Sequence, residues 1–284
     1  MKKIFPTRKK GISFLSKKWI LAICLVSIAG NTPATQPPKS GKAYVVSNAH
    51  MDTQWLWTVQ TSIIDYIPRT IYQNLALIRD YPNYIFNFEG AIKYNWMKEY
   101  YPLDYEKVKE AIKNGRWHVS GSSWDANDVN VPSPESSFRN ILLGQEFYKK
   151  EFGLKSTDIF LPDCFGFGYT LPSIAKHCGL IGFSTQKLGW RKKPFYGDSK
   201  IPFTIGRWKG IDGAELICAL DCGSYVHNFK DDDLTRDNDL IQRVERDPMR
   251  TAYRYFGAGD RGGSAMPVSA MAIEKAQVSG DGPI

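Results

Sequence analysis

The sequence predicts an α/β fold of parallel strands, either an α/β barrel or a doubly wound sheet. Short apolar runs rich in β-branched residues alternate with amphipathic helices along most of the chain. This repetition places successive strands parallel, with a helix crossing between them. The 284 residues are 43% hydrophobic and 13% aromatic, which is enough apolar surface for a packed core. That composition excludes a disordered or low-complexity protein.

The first half of the predicted domain contains four strands and the helices between them. The helix over residues 62–80 carries isoleucine and leucine at spacings of three and four, which give it one apolar face. A helical pair over residues 91–114 ends at Gly115, and the helix over 133–152 has a proline in its first turn. The strands are short apolar runs at residues 44–49, 84–88, 117–121 and 158–161.

The second half continues the alternation and then changes character. We predict a short helix over residues 171–178, a polar helix over 232–246, and three strands at 181–185, 203–208 and 215–220. After Tyr255 the sequence predicts a glycine-rich loop. Residues 266–277 follow without an assigned element, and the sequence then has a turn-like tail. Because this fold class seldom ends on such a tail, we expect an α/β barrel that is incomplete at its C-terminal side.

The N-terminal segment has the three parts of a secretory signal. Basic residues precede an apolar run of 11 residues at 19–29, and small residues follow it. The run is shorter than the roughly 20 residues that span a bilayer, so residues 1–30 are predicted to be a cleaved signal peptide. The expected location is periplasmic or extracellular, with a retained membrane anchor as the alternative. Residues 31–41 read as a linker and residues 42–284 as the folded part.

The positive charge of the chain is concentrated in that segment. The formal net charge is +8, but outside residues 1–30 there are 30 cationic and 29 acidic side chains. A nearly neutral domain provides no electrostatic field for phosphate, so we predict that it does not bind nucleic acid.

The side chains that could bind a metal or take part in catalysis follow two of the predicted strands. His50 and Asp52 lie two positions apart beyond the first strand, so their side chains can turn toward one point, as a zinc ion requires. A hydrogen-bonded structural pair is the alternative. Trp55 offers a flat apolar face of the kind that stacks on sugar rings. Asp163 follows the fourth strand beside Phe165, where a nucleophile or a turn-capping carboxylate would lie.

Together, the motifs His50-x-Asp52-x-x-Trp55 and Pro162-Asp163-x-Phe165-Gly166 resemble the N-terminal catalytic domain of the glycoside hydrolase family 38 α-mannosidases. The spacing between the motifs and the order of the strands also match, over about residues 43–279. The resemblance implies a zinc-dependent retaining α-mannosidase that hydrolyses mannose-containing glycans. Residues 42–284 would be part of its catalytic domain.

The resemblance also implies residue roles. His50, Asp52 and Asp163 would bind zinc, and Asp163 would be the nucleophile of the two-step mechanism. Zinc would orient the sugar through its 2- and 3-hydroxyl groups. The implied substrate-binding residues are Trp55, Phe165 and Asp128, with Gln186 and Lys187 near a further substrate contact. For Asp128, an Asx turn that stabilises its loop is the alternative.

A retaining glycosidase needs a second carboxyl group, which protonates the leaving oxygen and then activates water. Asp260 lies in a glycine-rich stretch that resembles one in bacterial family members, and it is the predicted acid/base. Asp221, at the end of the strand over residues 215–220, is the alternative. Either residue could instead be an ordinary loop residue.

The chain departs from the family pattern in its histidines. The family completes its zinc site with a second histidine from a later part of the domain, and only His50 of the four histidines lies on a family ligand position. Three ligands and a water can still hold zinc, but we expect little or no activity from the 284-residue chain alone. Two other functions stay open: a zinc-dependent carbohydrate deacetylase of similar barrel fold, and a non-catalytic sugar-binding remnant.

Overall fold

The computed structural model describes residues 41–189, 201, 203–221 and 223–279. The predicted signal peptide, and the predicted linker up to residue 40, lie outside these residues. Within the described part, none of the helices has both the length and the apolar content needed to cross a bilayer. The helices are α1 (Val59–Thr61), α2 (Ile67–Asp80), α3 (Ala91–Tyr100), α4 (Pro102–Lys113), α5 (Pro134–Phe152), α6 (Leu171–His177), α7 (Asn238–Arg246) and α8 (Pro267–Ser279).

The strands form two four-stranded sheets. In chain order they are β1 (Lys42–Ala49), β2 (Phe86–Glu89), β3 (Trp117–Ser120), β4 (Asp158–Phe160), β5 (Gly182–Thr185), β6 (Ile205–Lys209), β7 (Glu215–Leu220) and β8 (Thr251–Ala258). The first sheet has the order β3-β2-β1-β8 and the second the order β4-β5-β7-β6. All pairings are parallel except that of β6 with β7. No strand ladder joins the two sheets in the described part, so the prediction of an incomplete α/β barrel-like domain is confirmed.

Strand β8 was not predicted from the sequence, and neither was helix α8. The strand pairs with β1 at eight successive positions, from Lys42 opposite Thr251 to Ala49 opposite Ala258. Arg254 interrupts the apolar run of this segment, and glycines follow it, so its pattern does not read as a buried strand. The arginine is nevertheless buried, because its Nη1 lies 3.4 Å from Asp239 Oδ2 and 3.6 Å from Asp221 Oδ1. Because its charge is paired, Arg254 can occupy a position where a buried strand usually has an apolar side chain.

Two predicted helices begin differently from expectation. The helix expected over residues 62–80 starts with α1, passes through a π-helical turn at Ser62–Tyr66 and continues as α2. Pro68, in the first turn of α2, lacks the N–H that would continue the α-helical ladder. The hydroxyl of Tyr101 donates to Ile63 O over 2.8 Å and satisfies that carbonyl. Farther on, the predicted helix over 232–246 divides into a 3₁₀ turn at Leu234–Arg236 and α7, which Asp237 caps through Leu240 N at 2.9 Å.

The core of the first sheet is aromatic. Phe86 and Phe88 of β2 lie between Trp117 of β3 and Tyr94 of α3, and the rings of Phe86 and Trp117 meet edge to face at 4.6 Å. All four side chains are buried. Because the core holds β1 and β2 firmly, the residues just beyond their carboxyl ends start from fixed positions.

Candidate active site

The predicted site residues lie at the carboxyl ends of the strands, the edge where α/β proteins place their chemistry. His50 and Asp52 follow β1, Asp163 follows β4, and Asp260 follows β8. The ends of β1 and β8 stay joined beyond the ladder, since His50 N donates to Ala258 O over 3.1 Å and Asp52 N to Asp260 O over 2.9 Å. These bonds place His50, Asp52 and Asp260 in one short stretch of paired backbone.

His50, Asp52 and Asp163 form a compact group of possible metal ligands. One nitrogen or oxygen from each lies within 4.8 Å of the others, and no further group of this kind occurs in the described part of the chain. His50 Nε2 is 3.3 Å from Asp52 Oδ1 and 4.0 Å from Asp163 Oδ2. This nitrogen is buried and makes no hydrogen bond of good geometry. A buried polar atom without such a partner, facing two carboxylates, fits a cation ligand.

The opposite edge of the His50 ring faces a buried ion pair. Nδ1 lies 3.1 Å from Glu89 Oε1, and the same oxygen accepts from Lys93 Nζ at 2.9 Å. Burial lowers the pKa of His50, but the adjacent carboxylates of Asp52 and Glu89 outweigh burial and raise it to about 9. Burial would raise the pKa of Glu89, yet Lys93 and His50 outweigh it and lower that pKa. A metal bound at Nε2 must therefore displace a proton.

A cavity of about 230 Å³ opens beside this group. Asp128 lies on its wall, and its Oδ1 also accepts from Asn130 N at 2.7 Å and Val131 N at 2.9 Å. The Asx turn considered for Asp128 is thus present, and it leaves the carboxylate at the cavity. The remaining wall residues are His50, Asp52, Ala126, Asn127, Leu161, Pro162, Asp163, Cys164 and Phe165.

The two aromatic residues of the motifs differ in position. Phe165 lines the cavity and is partly exposed. Trp55 is 60% exposed, packs edge to face on Trp57 at 5.9 Å, and is not among the wall residues. Phe165 is therefore placed where it could contact a bound sugar, whereas Trp55 lies on the surface outside the cavity wall.

Lys187 lies against the predicted nucleophile. It follows β5, and its Nζ forms an ion pair with Asp163 Oδ1. The same ammonium lies 4.6 Å from the ring centroid of Phe165 and 5.9 Å from that of Tyr225. The ion pair thus places a positive charge directly beside the largely buried carboxylate of the predicted nucleophile.

The two acid/base candidates have different environments. Asp260 is partly exposed and accepts a 2.6 Å hydrogen bond from the hydroxyl of Tyr225, whose ring packs edge to face on His50 at 5.3 Å. Burial, reinforced by Asp260, raises the pKa of Tyr225, which keeps the phenol a donor. Asp221 is fully buried and accepts from Arg243 Nη1 at 3.0 Å, Gly223 N at 2.6 Å and Tyr255 N at 2.9 Å. Asp221 joins β7 to β8, whereas Asp260 borders the ligand group.

The other three histidines lie apart from the ligand group. His118 is exposed on β3, His177 ends α6 with its ring 6.5 Å from that of Phe138, and His227 packs on Phe229 at 5.1 Å. Glu89, Lys93 and Tyr225 are not among the site residues predicted from the sequence. Glu89 could have been proposed from the sequence, because it lies at the end of a buried strand, and His50 also follows such a strand. Lys93 lies four residues later, on a helix. Tyr225 could not have been proposed in this way, because only the tertiary fold brings it to His50.

Comparison with known proteins agrees with this geometry. The family model for the glycosyl hydrolases family 38 N-terminal domain matches residues 40–277. Alpha-mannosidase G of Dictyostelium discoideum is 36% identical over 176 residues, which are 62% of this chain and 16% of that protein. The alpha-mannosidase of Saccharomyces cerevisiae is 32% identical over 222 residues, which are 78% of this chain and 20% of that protein. The chain therefore spans a fifth or less of the length of these two relatives.

The fold has a solved counterpart. The crystal structure of an alpha-mannosidase from Enterococcus faecalis V583 superposes with a TM-score of 0.66 at 20% identity, covering 84% of this chain and 27% of that one. At this identity the likeness shows the fold, and the match over residues 40–277 shows the family. The chain belongs to glycosyl hydrolase family 38 and carries its N-terminal domain.

Proposed function

We propose that this domain is part of a zinc-dependent retaining α-mannosidase that acts on mannose-containing glycans. The observation that carries the proposal is the convergence of His50, Asp52 and Asp163 at one edge of the sheets, beside a cavity that Phe165 borders. The family membership and the names of the relatives support the same activity.

The residues present fit a zinc ion. One imidazole nitrogen and two carboxylates are ligands that zinc accepts, and the orphaned position of Nε2 matches a ligand atom. His50, Asp52 and Asp163 would hold the ion. When bound, zinc would supply a positive charge that can orient sugar hydroxyl groups at the cavity.

The chain's own residues would carry both steps of the reaction. In the first step, a carboxylate oxygen of Asp163 bonds to the anomeric carbon as the glycosidic C–O bond breaks, and the acid donates its proton to the leaving oxygen. In the second step, the acid, which is now a carboxylate, removes a proton from water. The water displaces Asp163 from the anomeric carbon and releases the sugar with its configuration retained. Lys187 stabilises the charge of Asp163 before attack.

Asp260 is the proposed acid/base. Its carboxyl is partly exposed beside the ligand group, whereas every oxygen of Asp221 is engaged inside the fold. A group that exchanges protons with a substrate must be within hydrogen-bonding reach of it. The environment of Asp260 allows that approach, and the burial of Asp221 opposes it.

The activity is tested with a zinc-loaded version extended to the full length of the family, because the 284 residues are a fifth or less of the two relatives and little or no hydrolysis is expected of them alone. We expect release of dinitrophenol from an α-mannoside, loss of that release with a chelator, and its recovery with zinc. Proton NMR should show the α-anomer of mannose first. The matched controls are the β-mannoside and the α-glucoside. Initial release of the β-anomer, hydrolysis indifferent to chelation, or no hydrolysis by the extended, zinc-loaded chain would contradict the proposal.

We also propose that the protein is exported, with cleavage between about Ala29 and Ala34. The basic residues, the 11-residue apolar run and the small residues after it support this location. Mass spectrometry of the protein from its source cells should find a mature N-terminus in that range. An intact Met1 or Lys2 on soluble cytoplasmic protein would refute export.

A further inference from the structure

A buried ion pair lies behind His50, on the side away from the cavity. Glu89 ends β2, and Lys93 lies one helical turn farther along, near the start of α3. Lys93 Nζ is 2.9 Å from Glu89 Oε1, and that oxygen is 3.1 Å from His50 Nδ1. The exposed fraction is 0% for Lys93, 2% for Glu89 and 5% for His50.

The hydrogen-bonding roles in this chain of three side chains are determined by chemistry. An ammonium can only donate and a carboxylate can only accept, so Glu89 must receive hydrogen from both Lys93 and His50 Nδ1. A neutral ring that carries its hydrogen on Nδ1 has its lone pair on Nε2. Nε2 is the atom that faces Asp52 and Asp163 and makes no hydrogen bond.

Stability alone does not account for burying these two charges. A buried ion pair is often no more stabilising than a pair of apolar residues of similar volume, because both charges lose their water. Lys93 is closely surrounded all the same. Its Nζ lies 5.4 Å from the ring centroid of Phe88, and a Cβ added at Gly90 would lie 3.3 Å from Nζ. An orientation role for the ring of His50 accounts for the pair.

We propose that Glu89 and Lys93 are positioning residues of the metal site. Glu89 holds the ring of His50 in the orientation that directs Nε2 toward a divalent cation, and Lys93 holds the carboxylate of Glu89 in place through their ion pair. This inference rests on the proposed function, because it takes His50, Asp52 and Asp163 as zinc ligands. Partners of this kind typically change metal affinity 10- to 100-fold when they are removed.

The test removes both charges at once, so that neither is left buried alone. In the full 284-residue chain, Glu89→Leu with Lys93→Met replaces the pair by apolar side chains. We expect the thermal midpoint of the chelator-treated protein to stay near that of the parent, while zinc affinity falls about 10- to 100-fold. Competition with a chromophoric chelator measures the affinity, and the absorption spectrum of bound Co²⁺ reports the ligand geometry.

The matched control is Glu106→Leu with Lys109→Met, which removes an exposed pair on α4 whose atoms are 3.2 Å apart. It should bind zinc as the parent does. A double variant at positions 89 and 93 with the parent's zinc affinity and Co²⁺ spectrum would show that the pair is only structural and overturn the inference. Equal zinc binding by the parent and a His50→Ala variant would instead refute the metal site itself.

A second measurement does not depend on how the variant folds. Nitrogen-15 NMR of histidine in the zinc-loaded parent should show His50 bound through Nε2, with an Nδ1 proton protected from exchange. Metal bound through Nδ1 would overturn the inference even if the double variant does not fold.

Discussion

In a version extended to the full length of the family, replacing Asp163 by alanine is expected to abolish hydrolysis of every α-mannoside. Without the carboxylate no bond to the anomeric carbon can form, so good and poor leaving groups should be affected alike. Losses on the order of 10⁴-fold or more are typical when a nucleophile is removed. The rates should be measured with dinitrophenyl and alkyl α-mannosides. Asp163→Asn serves as a second variant because it keeps the shape beside Lys187, and Asp80→Ala, at the exposed end of α2, is the matched control.

Asp260→Ala should fail in a different way. A dinitrophenolate leaves almost without a proton, so the first step on that substrate should persist, and azide should restore turnover by replacing activated water. Alkyl mannosides should become very poor substrates. Equal activity on all leaving groups would assign the acid/base role elsewhere, and Asp221 would be examined next. If Asp163→Ala hydrolysed dinitrophenyl mannoside at the parent rate, Asp163 would not be the nucleophile.

His50→Ala is expected to remove most of the bound zinc while leaving the helical content unchanged. The imidazole supplies the only nitrogen of the ligand group, so its loss leaves two carboxylates. The fold should persist because Glu89 keeps its partner Lys93 and the aromatic core under β2 is untouched. Zinc retained after dialysis is measured by atomic emission, and helical content by circular dichroism.

The control for that variant is His118→Ala, which removes an exposed histidine of β3 that lies outside the ligand group. It should keep the parent's zinc content. If His50→Ala and the parent retained equal zinc, the assignment of the metal site would be wrong.

The sequence predicted the site best where chemistry follows a recognisable strand. His50 and Asp163 each come just after a short apolar run, and parallel strands end at one edge, so their meeting could be expected. Strand β8 was not predicted because the buried Arg254 interrupts its apolar pattern. The acidic partners of Arg254, Asp221 and Asp239, lie elsewhere in the sequence. Local patterns do not reveal a charge that is neutralised by residues from elsewhere in the fold.

The surroundings of His50 show the same limit. Glu89 and Lys93 can be recognised in the sequence as a strand end and a helix start, but the contact of Glu89 with His50, some 40 positions earlier, is visible only in the fold. Tyr225 reaches the ring of His50 from a loop that is joined to the end of β1, since Asn48 Nδ2 donates to Tyr225 O over 3.1 Å. Asp260 could be proposed from its glycine-rich stretch, but its hydrogen bond to Tyr225 required the structure.

The central claim is that His50, Asp52 and Asp163 together bind one zinc ion. Crystals of the zinc-loaded chain, measured on both sides of the zinc absorption edge, test this claim most directly. We expect one strong anomalous peak at His50 Nε2 and the carboxylates of Asp52 and Asp163. A peak elsewhere, or none at these three side chains at saturating zinc, would contradict the account.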